Sequence, residues 1–295
     1  MDQAEGLRTL IKNRPEITGP SSPTGKGKKE EASFRWPRVI SVGSGKGGVG
    51  KTNVVANLAF AFTRLGKEVL VLDADLGLAN IDVLLGLTPQ YTIQHLLSRE
   101  KTVFEIVTKG PGGMSVLPAS SGVLELVDLD ESQKLLLMNE LDLIAETVDI
   151  LLIDTGAGIS SNVLYFNMAA EESIVVMTPE PTSITDAYAF IKVLSKKYRK
   201  ERFTLLIMAV DRFLGSTSLD YLGFIPFDEK LPLAVKRQRP VLEIYPQALS
   251  SRSFMEMAKI LMGKPMPPSA YGQIQFFWQH LFKCQQLTER KGSGD

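Results

Sequence analysis

The sequence predicts an α/β fold, a mostly parallel, doubly wound sheet with helices on both faces. Three observations lead there. Short, near-continuous apolar runs recur at 39–42, 69–72, 114–117, 150–153, 174–177, 204–210 and 219–226. Helical patterns lie between them, notably at 51–65, 132–148 and 182–199. The first run leads into a glycine-rich loop and then a helix. Apolar strands that alternate with helices are strands buried on both faces, as in a parallel sheet covered by crossover helices.

Composition agrees and excludes several classes. The 295 residues are 44% hydrophobic and 22% charged, enough apolar matter for a sizeable core. Lys and Arg number 33 and Asp and Glu 33, so no protein-wide field attracts nucleic acid. The one cysteine, Cys284, excludes a disulfide framework within the chain and a cysteine-ligated cluster from a single chain. No apolar run reaches the roughly 18 residues of a membrane span. The acidic start, Met1 to Glu5, is not a secretory signal, and the chain reads as cytoplasmic.

Three zones follow along the chain. Residues 1–36 pair a short helical piece, 1–12, with a linker at 13–36 rich in Pro, Gly, Ser and Lys. Residues 37–263 hold the alternating strands and helices, and Trp36-Pro37 marks their start. Residues 264–295 begin with a proline linker, KPMPP at 264–268, and continue as a helical segment at 271–289.

Residues 43–52 read GSGKGGVGKT, in which Gly45, Gly50, Lys51 and Thr52 satisfy the G-x4-G-K-[ST] phosphate-loop pattern. Gly45, Gly47, Gly48 and Gly50, with Val49 between them, let backbone N–H groups turn toward phosphates. The following helix aims its positive end at the same place. Lys51 then reaches the β- and γ-phosphates, and the Thr52 hydroxyl ligates Mg²⁺. Lys46 alone reads equally as a solvated loop lysine or as a functional one.

Two further apolar strands end in carboxylates, VLVLDAD at 69–75 and ILLIDTGAG at 150–158. Strand ends of this polarity face the ligand crevice of a doubly wound sheet. Asp73 and Asp154 suit contacts to metal-bound waters, and Asp75 could orient the attacking water. A lone aspartate there would as readily be a turn former or cap. His95 and His280 have no ligand partners in the pattern and default to surface or helix packing.

In the last segment Ile274, Phe277, Trp278, Leu281 and Phe282 fall at i, i+3, i+4, i+7 and i+8. Such a helix either docks on its own core or lies on a membrane surface. Few lysines flank the apolar face, so anionic lipid adds little to a membrane contact.

KGGVGKT at 46–52 resembles the deviant phosphate loop of the MinD/ParA family of ATPases. With LDADLGLANIDVLLG at 72–86, IDTGAGIS at 153–160 and TPEPTSITDAY at 178–188, the likeness narrows to the flagellar-number regulators of the FlhG family, also called FleN. It runs from about Val39 to Leu261. The resemblance implies a slow regulatory ATPase that dimerises with ATP and Mg²⁺. In it Lys46 acts across the dimer, Lys51 and Thr52 hold phosphate and Mg²⁺, and Asp75 orients water. Asp154 begins the second switch, Gly158 lies close to the γ-phosphate, and Pro226 and Asp228 line the adenine.

The start of the chain, Asp2, Gln3, Ala4, Glu5, Gly6, Leu7 and Arg8, fits the family's DQAxxLR element. That element implies stimulation of the GTPase FlhF, with Asp2, Gln3, Ala4, Leu7 and Arg8 as contacts. Further implied partners are a flagellar transcription activator or switch protein, and the inner face of the cell membrane, held reversibly by the C-terminal helix. No direct nucleic-acid contact is expected.

One stretch departs from the family. Relatives follow the strand at 204–208 with an adenine-reading Asn and a helix of roughly two dozen residues, whereas here Ile207 runs almost directly into Asp211-Arg212-Phe213 and no Asn occurs in 203–228. An internal deletion is the expectation, with adenine recognition affected. Three other readings are weighed against this one by their sequence requirements. A ParA-type partitioning ATPase would need a basic patch. An iron–sulfur carrier is excluded by the single cysteine. A nucleotide-binding scaffold would not hydrolyse.

Overall fold

A computed structural model describes residues 37–75, 80–119, 130–145, 147–207 and 218–264. The expected contacts Asp2, Gln3, Ala4, Leu7 and Arg8, and the apolar face Ile274, Phe277, Trp278, Leu281 and Phe282, lie outside the described residues.

Among the described residues, eight strands form one sheet. They are β1 (Arg38–Ser44), β2 (Val69–Ala74), β3 (Thr108–Lys109), β4 (Ser115–Leu117), β5 (Ile150–Ala157), β6 (Glu172–Met177), β7 (Arg202–Ile207) and β8 (Ser218–Phe224). Their order is β3-β4-β2-β5-β1-β6-β7-β8. Every neighbouring pair is parallel except β3 with β4. The antiparallel edge strand β3 was not readable in advance, because two residues carry no periodicity.

The helices are α1 (Lys51–Arg64), α2 (Ile81–Leu84), α3 (Ile93–Leu97), α4 (Val103–Ile106), α5 (Glu131–Ala145), α6 (Ser161–Ala169), α7 (Pro181–Tyr198), α8 (Lys230–Lys236), α9 (Val241–Ile244) and α10 (Leu249–Gly263). They cover both faces, as the apolar strands require. Residues one apart on a strand go to opposite layers. Val71 and Leu152 pack with Val55, Phe62, Phe254 and Leu261 of α1 and α10. Leu70, Leu72, Leu151 and Ile153 pack with Ile93, Val103, Leu137 and Leu141 of α3, α4 and α5. Val175, Met177, Phe203 and Leu205 meet Val163, Phe190 and Leu194 of α6 and α7. Truncating one such buried side chain to Ala costs about 2–5 kcal/mol.

Two boundaries differ from expectation for physical reasons. The run read as ending at Ile153 continues as strand to Ala157, because Ala157 still pairs with Ser44 across a bulge. The run read as 204–210 is strand over Arg202–Ile207, where it pairs on both sides. Residues 208–210 lie outside the described residues. Ten residues separate Ile207 from Ser218, and β8 nevertheless lies parallel to β7, with Arg202 opposite Ser218 and Ile207 opposite Phe224.

Candidate functional site

The parallel strands bring their C-terminal ends to one edge of the sheet, where the site residues gather. β1 ends at Ser44, residues 45–50 turn, and α1 begins at Lys51. The loop packs close beneath α7, where a Cβ on Gly45 would fall on the backbone of Asp186. Only glycine fits there. Val49 is buried in the core and pins the loop from below.

Lys51 is pulled below its ordinary pKa by burial, against the attraction of Asp154 and Asp75. Thr52 hydrogen-bonds the Asp154 side chain. Asp154 Oδ1 is buried without a partner, an open oxygen ligand beside the Thr52 hydroxyl. This donor set fits Mg²⁺, which takes one or two carboxylates and completes its shell with waters and phosphate oxygens. Thr52 would hold the ion and Asp154 would reach it or its waters; bound there, Mg²⁺ neutralises charge on the β- and γ-phosphates.

Asp73 and Asp154 are direct cross-strand partners on β2 and β5. Asp73 Oδ1 accepts from the Asp75 N–H (3.1 Å), and Oδ2 accepts from the Asn80 (3.1 Å) and Ile81 (3.3 Å) N–H groups. Asp73 thus holds the Asp75 backbone and the start of α2. The Asp75 carboxyl faces the end of β5, 3.6 Å from where a Cβ on Gly156 would sit. Gly158 donates its N–H to Ser44 O at 2.9 Å, which ties the end of β5 to the phosphate loop.

Burial, then the nearby Asp154, pushes the Asp73 carboxyl up to about 8. Burial pushes Asp154 up to about 7, against the Thr52 hydrogen bond and Lys51. The folded chain therefore keeps protons that the unfolded chain releases near pH 3.8. Where the folded state binds more protons, stability falls as pH rises. Without Mg²⁺ and nucleotide, the melting temperature is expected to drop between pH 5.5 and 8, and less so in Asp73→Asn. Thermal denaturation across that range checks this; identical slopes for parent and variant would reject it.

Lys46 is not free in the single chain. Its Nζ donates to Glu180 Oε2 at 2.9 Å and to Thr182 Oγ1 at 3.1 Å, at the start of α7. The pair is largely exposed, so it is weak and can yield to a stronger anion. Neither partner was singled out from sequence, although both lie in the TPEPTSITDAY stretch that carried the resemblance.

Pro226 and Asp228 follow β8. Asp228 accepts from the Ser250 N–H (2.9 Å) and hydroxyl (2.8 Å) and from the Lys230 N–H (2.9 Å). Its carboxylate thus caps the start of α10 through Oδ2, while Oδ1 takes the single bond from Lys230 and keeps a lone pair. His95 takes the helix-packing role expected of it: its Nδ1 accepts the Thr92 N–H at the start of α3.

A strand, a phosphate loop with an extra lysine, a helix, and carboxylates on two adjacent parallel strands define a MinD-like P-loop ATPase. The family model described as "AAA domain" matches residues 37–207. The antiactivator FleN of Pseudomonas aeruginosa is 40% identical over 270 residues, covering 86% of this chain and 96% of that one. The flagellum site-determining protein YlxH of Helicobacter pylori is 33% identical, covering 77% and 82%. Among solved structures, the septum site-determining protein MinD of Pyrococcus horikoshii, complexed with Mg-ADP, superposes with a TM-score of 0.66 at 25% identity, covering 77% of this chain and 96% of that one. The chain belongs to the MinD/ParA family of P-loop ATPases and, within it, is a homologue of the flagellar regulators FleN and YlxH.

The FleN match spans 270 aligned positions yet covers 86% of 295 residues, so its alignment opens gaps in this chain.

Proposed function

We propose that the chain is a slow, ATP-hydrolysing switch that sets flagellar number and placement. ATP and Mg²⁺ bring two copies together, and hydrolysis separates them. The observation that carries this is the convergence of Lys51, Thr52, Asp75 and Asp154 at the C-terminal strand ends, behind the loop that carries Lys46, in a chain 40% identical to FleN. The cis contact of Lys46 with Glu180 and Thr182 supports the rest of the cycle. The lysine is parked on the monomer's surface, and a nucleotide on a second copy competes for it.

In this reading the DQAEGLR element at 2–8 stimulates the GTPase FlhF, and Asp2, Gln3, Ala4, Leu7 and Arg8 make the contact. Ile274, Phe277, Trp278, Leu281 and Phe282 hold the dimer reversibly on the inner face of the cell membrane. Among the described residues no helix is long and apolar enough to cross a membrane. A flagellar transcription activator or switch protein completes the set of partners. Pro226 and Asp228 line the adenine, and the shortened segment weakens its recognition.

Light scattering with ATP tests the cycle. The parent chain is expected to dimerise with ATP and to turn it over, whereas Lys46→Ala binds ATP and stays monomeric. Equal dimerisation by parent and variant would make Lys46 a solvated loop lysine. Absence of turnover by the parent, with membrane vesicles and FlhF present, would reduce the chain to a nucleotide-binding scaffold.

A further inference from the structure

A buried polar chain runs beneath the site. Asn167, on α6, is fully buried, as is Thr155 on β5. Asn167 Nδ2 donates to Thr155 Oγ1 at 3.2 Å and to Val163 O at 2.8 Å. Thr155 Oγ1 in turn has two carbonyl acceptors, Val42 O at 2.9 Å and Gly156 O at 3.3 Å. The Asn167 Nδ2 group only donates, so Thr155 Oγ1 accepts from it and gives its one proton to the nearer acceptor, Val42 O. The chain of bonds runs from α6 through the end of β5 to the last residue before the phosphate loop.

The same place carries a bulge. Val42 pairs with Asp154 and Ser44 with Ala157, so Gly43 alone stands opposite Thr155 and Gly156. Bulges next to active sites re-aim side chains. Asn167 Oδ1 fills the space beside Gly43, 2.8 Å from where a Cβ would be, and it has no hydrogen-bond partner. An apolar side chain of similar volume would fill that space without leaving a buried polar atom unpaired. A polar residue kept there at such a cost is held for something other than packing.

We propose that Asn167 is a positioning residue for the ATPase site. Through Thr155 it fixes the end of β5, Asp154 to Ala157, against Val42, the last residue before the phosphate loop, so that the γ-phosphate meets a preset strand end. The inference rests on the proposed ATPase reading. It touches no phosphate itself; Lys200 Nζ and Ser173 Oγ hold the Asn167 carbonyl from the far side, which keeps the strut rigid. Small displacements of groups around a reacting centre are costly in rate even when binding is unaffected.

The test uses the full chain with Asn167→Leu, Thr155→Val, the double variant and Thr155→Ser. Each of the first two is expected to lower kcat about tenfold while ATP affinity stays within about threefold, the signature of lost positioning without lost binding. The double variant is expected to be no slower than the slower single, because both break one chain of bonds. Thr155→Ser, which keeps the hydroxyl, recovers most of the rate that Thr155→Val loses. Additive losses, or turnover by Thr155→Val within twofold of the parent, overturn the proposal. Should Asn167→Leu not fold, the Val and Ser pair at position 155 decides. Hydrogen exchange with a non-hydrolysable ATP analogue separates this from failure of the ATPase reading. There the parent protects residues 153–160 and Thr155→Val does not; equal protection overturns the proposal even if no chain hydrolyses ATP.

Discussion

Lys51→Ala binds ATP about a hundredfold more weakly than the parent, which reads as no binding at ordinary assay concentrations. Backbone N–H groups of the loop at 45–50 contribute partial charges, and Lys51 supplies the full one at the head of α1. Burial lowers its pKa, while Asp154 and Asp75 pull the other way. Polyphosphate adds several negative charges to the attraction of these two carboxylates. Removing the side chain also takes from Asp154 a cation that now restrains its upward shift, so Mg²⁺ binding suffers with it. Calorimetry with Mg-ATP measures the loss, and circular dichroism confirms that the variant is folded. Unchanged affinity in a folded variant would move the phosphate site off this loop.

The sequence made the phosphate loop, the carboxylates and the parallel sheet legible for one physical reason. Each depends on residues adjacent in the chain. GSGKGGVGKT needs only its own backbone and the helix behind it, and VLVLDAD and ILLIDTGAG announce themselves by apolar runs that stop at an acid. What the sequence hid depends on residues far apart. Lys46 meets Glu180 across 134 positions, and Asp228 spends its carboxylate on Ser250, 22 positions away. Asn167 reaches Thr155 only because α6 folds back along β5. Asparagine inside a helix reads locally as a weak helix former, and nothing in its neighbours marks it as a strut. The short helices α2, α3, α4 and α9 were missed because four or five residues do not fill two turns of a periodic pattern. α10 was legible, with Phe254, Met257, Ala258 and Leu261 at i, i+3, i+4 and i+7, but was not read.

Asp75→Ala binds ATP and dimerises like the parent, yet hydrolyses at least about a hundredfold more slowly, the usual scale for loss of a group that orients or activates water. The geometry separates Asp75 from the binding residues. Asp73 and Asp154 sit within strands and are almost wholly buried, whereas Asp75 lies just past β2 and is only partly buried. Its backbone N–H is held by Asp73, and its carboxyl points at Gly156 at the end of β5. It raises the pKa of both Lys51 and Asp154, so its charge is felt where the phosphates would lie. A carboxylate so placed would repel bound phosphate in the ground state. Ground-state affinity should therefore hold steady or improve on its removal, while the transition state loses its oriented water. Single-turnover kinetics on the preformed ATP dimer isolates the chemical step from dimer exchange. Hydrolysis at the parent rate would assign the water to another group, and loss of dimerisation would make Asp75 part of the interface.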